Sequence, residues 1–281
     1  VTMVSANVTS TPVQNVSLFE HAGMTVGYML FNDHIATAEQ LLVNAFNQLA
    51  AARVSDLVLD LRYNGGGYLD IASEVAYMIA GPAATSGRAF EKTVFNDKYP
   101  TIDPVTRQPL TPVPFHTTTQ GFSGPSGQPL PQLNLRRVAV LTSSNTCSAS
   151  ESIINALRGI GVQVIEIGAT TCGKPYGFYP QDNCGTTYFS IQFQGVNDQG
   201  FGDYADGFSP ANATTGVGVT LPGCAVADDF GHALGDPSER RLAAALRYLA
   251  GDGCPAVSVG QASLTAAAND VDGFIAQVTF F

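Results

Sequence analysis

The sequence predicts an α/β protein, and three observations carry that prediction. Apolar residues at helical spacing over residues 36–52 (Leu41, Leu42, Ala45, Phe46, Leu49) run into the short apolar stretch Leu57-Val58-Leu59-Asp60-Leu61, which reads as a helix feeding a buried strand. That stretch stops at Asn64-Gly65-Gly66-Gly67, after which Leu69, Ala72, Val75, Ala76 and Ile79 mark a second helix face. A like unit follows: a strand over 138–141, a serine-rich loop, a helix to about Arg158 and a strand over 162–167.

Taken in order, Val4, Val8, Val13, Val16 and Leu18 recur without helical period, and Val26, Tyr28 and Leu30 alternate, so leading β-strands are expected before the first helix. Residues 96–135 hold much of the proline and few apolar runs. They read as a long surface excursion, placed either as a lid or cleft wall or as an inert loop. Residues 239–250 (ERRLAAALRYLA) read as a helix with Asp236 or Ser238 as its cap.

The balance of 23 acidic against 13 basic residues gives a net charge of -10. With no basic stripe, this speaks against nucleic acid and acidic membrane surfaces as partners. No apolar run reaches the roughly 18 residues of a membrane span. The chain opens at Val1 without a charged and then apolar leader, as expected of a processed or truncated protein. Five cysteines lack paired CxxC spacing, so neither a metal nor another cofactor is expected. The expected pairing is Cys172 with Cys184 and Cys224 with Cys254, leaving Cys147 free, in an oxidising, extracytoplasmic compartment. The alternative is five reduced thiols.

The chemistry centres on SSNTCSASE, residues 143–151. In right-handed strand-helix-strand units the parallel strands end on one sheet edge. Ser148 follows one such end and Lys174 the next, and the NGGG loop joins them if its strand lies in the same sheet. A serine with a neutral lysine as base, beside free peptide N–H groups, suits acyl transfer. Each piece also has a plain structural reading: Ser148-Ala149-Ser150-Glu151 matches a capping box, Asn64-Gly65 a hairpin turn, and Lys174 a solvated surface lysine. The four histidines (His21, His34, His116, His232) lie far from Ser148 in sequence and sit in no readable motif, and no base can be assigned to Cys147 as a thiol nucleophile.

The stretch VSDLVLDLRYNGGG, then SSNTCSASESIINAL, then ATTCGKPYG, resembles in order and spacing the S41 serine peptidases, the C-terminal processing or tail-specific proteases. The resemblance implies a ClpP/crotonase-like core of repeated β-β-α units, Ser148 as nucleophile, Lys174 as general base, and oxyanion donors at the backbone of Gly66 and Ala149. It implies a peptide or protein substrate and an extracytoplasmic setting. Two departures stand out. Phe178 occupies the position of the glutamine that orients the lysine in tail-specific members, and the roughly 20 residues before the core leave no room for a PDZ-like module. The organisation expected is leading strands over 1–20, left from an upstream region, a catalytic domain over 21–255 and a C-terminal extension over 256–281. The alternative function is a catalytically silent domain binding peptides or small apolar ligands.

Overall fold

A computed structural model describes residues 5, 8–214 and 217–256; the expected extension over 256–281 lies, after its first residue, outside them. The first half runs β1 (Val13–His21), β2 (Met24–Phe31), α1 (Ala38–Ala51), β3 (Asp56–Asp60), α2 (Leu69–Ala80), α3 (Pro82–Thr85), β4 (Ala89–Val94) and β5 (Val113–Pro114). The second half runs β6 (Arg137–Thr142), α4 (Ala149–Gly159), β7 (Gln163–Gly168), β8 (Tyr176–Gly177), β9 (Gln181–Asn183), β10 (Thr186–Tyr188), β11 (Phe193–Val196), β12 (Phe208–Pro210), β13 (Val219–Leu221), β14 (Gly223–Ala225) and α5 (Arg240–Leu249).

The main sheet has the order β1-β2-β3-β6-β7-β14. Only β1 is antiparallel to its neighbour, and every other adjacent pair is parallel. The leading strand β1 forms one edge of this sheet. Alternation along the strands sorts side chains to two cores: Leu57 and Leu59 of β3 join α1, α2 and α4 on one face, while Val58 joins Leu242, Ala245 and Leu249 of α5 on the other. Full burial of each such side chain stabilises by about 1.5–3 kcal/mol. That is why β3 and β6 read as continuous apolar runs.

Because β2, β3, β6 and β7 are parallel neighbours, the loops at their C-terminal ends open along one edge. The NGGG stretch leads into α2 and is no hairpin. A smaller sheet, β5-β4-β11-β8, contributes Glu91, Phe193 and Gly195 to a cavity that Gly67 and Ser148 also line.

One expectation needs correction. The cap of α5 is neither Asp236 nor Ser238 but Glu239, whose carboxylate accepts from Leu242 N–H at 3.0 Å and is held in place by Arg62. The excursion over 96–135 is fastened to α1 and α2 by hydrogen bonds from its backbone N–H groups. Glu39 accepts from the N–H groups of Gln120, Gly121 and Ser123, and Leu133 and Leu135 N–H donate to Met78 and Ile79 carbonyls on α2.

Candidate active site

Ser148 sits at the junction of β6 and α4 with φ 56° and ψ -118°, a backbone conformation that costs a non-glycine residue of order 1–3 kcal/mol. It persists because both sides of the turn are fastened. Cys147 N–H donates to Asn64 O at 3.1 Å and Ser150 Oγ donates to the same carbonyl at 3.0 Å. Thr146 Oγ1 reaches Leu61 O, and Ser143 Oγ reaches Arg62 O. The capping box forms, with Ser148 N–H on Glu151 Oε2 at 3.0 Å.

Glu151 also joins the serine to the lysine. Its buried carboxylate accepts from the N–H groups of Gly173 and Lys174, each at 2.8 Å, and from Thr171 Oγ1. Burial raises its pKa, while these donors pull the other way by favouring the ionised form. Alongside runs a covalent link between Cys147 and Cys172, with Cα atoms 5.3 Å apart. The expected Cys172–Cys184 bridge is therefore wrong. Nearness in sequence misled, because the loops after β6 and β7 lie side by side and Cys172 N–H already bonds Thr146 O. Cys184 is the free cysteine, exposed in the turn between β9 and β10, and Cys147 offers no thiol. Cys224 and Cys254 are bonded to each other.

The glycine loop packs directly on the serine. A Cβ on Gly66 would lie 2.8 Å from Ser148 Cβ and 2.9 Å from Ala149 N, and its φ is 101°, so only glycine fits. The Gly66 N–H donates to Asn64 Oδ1 at 3.0 Å. Gly67 and Ala149 line the same small cavity as Ser148, and neither N–H has an acceptor among the described residues.

Asn64 is the fastener that sequence reasoning passed over. Its Oδ1 accepts from Gly66 N–H and lies 2.9 Å from His34 Nδ1, while its Nδ2 donates to Phe31 O at 2.9 Å. An acceptor at Oδ1 requires the proton on His34 Nδ1. Burial pushes the His34 pKa down to about 4, so the ring is neutral. The signal was His34's place just beyond β2, on the shared sheet edge.

Ser148 and Lys174 both line a cavity of about 160 Å³. Lys174 Nζ rests over the Phe178 ring, 5.6 Å from its centroid, so the residue at the glutamine position supplies an aromatic face instead of an amide. No hydrogen bond joins Lys174 Nζ to Ser148 Oγ among the described residues.

A strained serine at a helix start thus has a glycine loop packed against it and a lysine-bearing loop tied to it, where parallel strands end together. The family model of peptidase family S41 matches residues 25–178, and the chain belongs to that family. It is similar to a carboxyl-terminal-processing protease of Picosynechococcus sp. (strain ATCC 27264 / PCC 7002 / PR-6), at 30% identity over 157 residues, 56% of this chain. It spans 31% of that relative's length. Among solved structures it is similar to a chain assigned as an S41 protease of Bacteroides fragilis NCTC 9343, with TM-score 0.65 and 26% identity over 88% of this chain and 60% of the other. The family expected from the three motifs is the family matched.

Proposed function

We propose that this chain is the catalytic core of a serine endopeptidase that cleaves peptide bonds through an acyl-enzyme on Ser148. The observation that carries the reading is the strained Ser148 backbone, held beside the free N–H groups of Ala149 and Gly67. Lys174, as the neutral amine, removes the Ser148 proton as Oγ attacks the scissile carbonyl. The N–H groups of Ala149 and Gly67 hold the oxyanion, and the lysine returns the proton to the leaving amine. Water then cleaves the ester by the same steps. Lys174 must swing from Phe178 toward Ser148, and substrate binding is the natural trigger, since catalytic contacts tighten on complex formation. His34 and Asn64 position the glycine loop without touching substrate. A ClpP/crotonase-like arrangement is the fold reading that the strand–loop–helix succession supports. The two disulfides support an extracytoplasmic setting, and no helix among the described residues is long and apolar enough to cross a membrane.

The amine's rest position over Phe178 favours a second reading, in which the cleft binds peptides or small apolar ligands without cutting them. Hydrolysis of a quenched-fluorescence peptide library by the parent, Ser148→Ala and Lys174→Arg proteins separates the two. Cleavage by the parent alone supports the peptidase. A parent that binds but never cuts supports the silent domain.

A further inference from the structure

The cavity beside Ser148 continues along α4. Ser152 lies four positions beyond Ser148 and therefore one turn further on the same helix face. Its Oγ donates to Glu91 Oε2 at 2.9 Å, and both residues line the cavity with Ser148 and Lys174. Glu91 comes from β4 and lies against Gly195 of β11, where a Cβ would stand 2.5 Å from the Glu91 carboxyl carbon and 2.6 Å from Oε1. The carboxyl thus rests on a glycine that leaves room for it.

Among the described residues nothing cationic is paired with this acid. Lys92, next in the chain, turns to Asp198, and Lys174 rests over Phe178. Glu91 Oε1 makes no hydrogen bond among the described residues, and the residue lines the cavity. Burial pushes the Glu91 pKa up to about 7, the consequence of desolvating a carboxyl without a counter-charge. An amide would accept from Ser152 equally well, so holding Ser152 does not account for an acid here.

We propose that this cavity takes a side chain of the bound peptide, and that Glu91 selects a cationic one, lysine or arginine. The cationic head would bring the charge that the buried carboxyl lacks, and the walls Phe193 and Pro175 would cover the aliphatic stem. The preference rests on the cleft taking peptide, which the cutting and the silent readings share.

The test uses the Ser148→Ala protein, titrated calorimetrically with the acetylated, amidated pentapeptide Ala-Ala-Lys-Ala-Ala and its norleucine counterpart. The lysine peptide should bind at least ~10-fold tighter, and adding Glu91→Gln, which keeps the acceptor for Ser152, should bring the ratio to within about 3-fold. Equal binding of the two peptides, binding of neither, or a ratio that survives Glu91→Gln would overturn the proposal. The same peptides are offered to the parent and to Glu91→Gln with Ser148 intact. Lysine-peptide binding without cleavage would sink the peptidase reading and leave the selectivity standing. An equal fall in kcat for both peptides in Glu91→Gln would place Glu91 with Lys174 instead and overturn the selectivity.

Discussion

Two groups of charges flank the glycine loop, and they are built in opposite ways. Before it, Arg62 is fully buried with its guanidinium on Asp60, Glu239 and Asp228, at 2.9 to 3.1 Å, and Tyr28 donates to Asp60 at 2.7 Å. After it, Glu91 and Lys174 share a cavity, and neither forms an ion pair among the described residues. The first group joins β3 to the start of α5, and its charges are satisfied within the chain. The second leaves an acid and an amine for something else to meet. Satisfied charge is scaffold here, and unsatisfied charge beside a strained serine is where chemistry is to be sought.

The largest expected effect falls on the second group. Ser148→Ala should remove turnover by on the order of 10³-fold or more, while unfolding measurements show a loss of only about 0.5–2 kcal/mol from the cap. Lys174→Arg should be equally inactive although the charge is kept, because guanidinium does not give up its proton in a useful range. Retained peptide cleavage in either variant would break the assignment.

The first group should respond in stability instead. Arg62→Met leaves Asp60 and Glu239 buried without their cation and should cost about 3–5 kcal/mol in denaturant unfolding. If the variant unfolds at the parent's denaturant midpoint, the cluster is not the scaffold described.

Much of this architecture was legible in the sequence because it is local. The apolar run at β3, the NGGG turn, the face of α2 and the serine-rich start of α4 each follow from spacing within about a dozen residues, and the order of three loops placed Ser148 and Lys174 on one edge. What escaped was set by contacts across long separations. β4 pairs with β11 a hundred residues later, so nothing near Glu91 announced that it would line the site. Cys147 meets Cys172 because parallel neighbouring strands end together, the same relation that brings the loops of Ser148 and Lys174 to one edge, whereas nearness along the chain pointed to Cys184. The Asn64 carbonyl oxygen that fastens Ser150 and Cys147 belongs to the backbone and leaves no mark in the side-chain pattern.

Smaller effects sharpen the contrast. Reducing the Cys147–Cys172 link should lower kcat by roughly 10-fold, about 1.4 kcal/mol of misplacement between the two loops, before circular dichroism shows unfolding; loss of both together would mean that the link only supports the core. Ionisation of buried acids without a cation should show as well. Glu91 is raised to about 7 by burial and Glu74, beside Glu39, to about 8. Each acid favours its neutral form when folded, so its contribution is fully present below the unfolded value near 4.5 and is lost as pH rises through the folded one. Thermal midpoints should fall from about pH 5 to about pH 8.5, and Glu74→Gln should flatten part of that slope; an unchanged slope would remove Glu74 from the account. Cys184→Ser, at an exposed turn, should change stability by less than about 0.5 kcal/mol and leave cleavage unaltered.

The central claim is that Ser148 is a nucleophile and not only a helix cap. A fluorophosphonate probe, followed by proteolytic mapping and mass spectrometry of the adduct, tests it most directly. The account predicts a single adduct on the peptide containing Ser148, absent in Ser148→Ala and strongly slowed in Lys174→Arg. An adduct on another residue, or an unlabelled Ser148 in a folded parent protein, would contradict it.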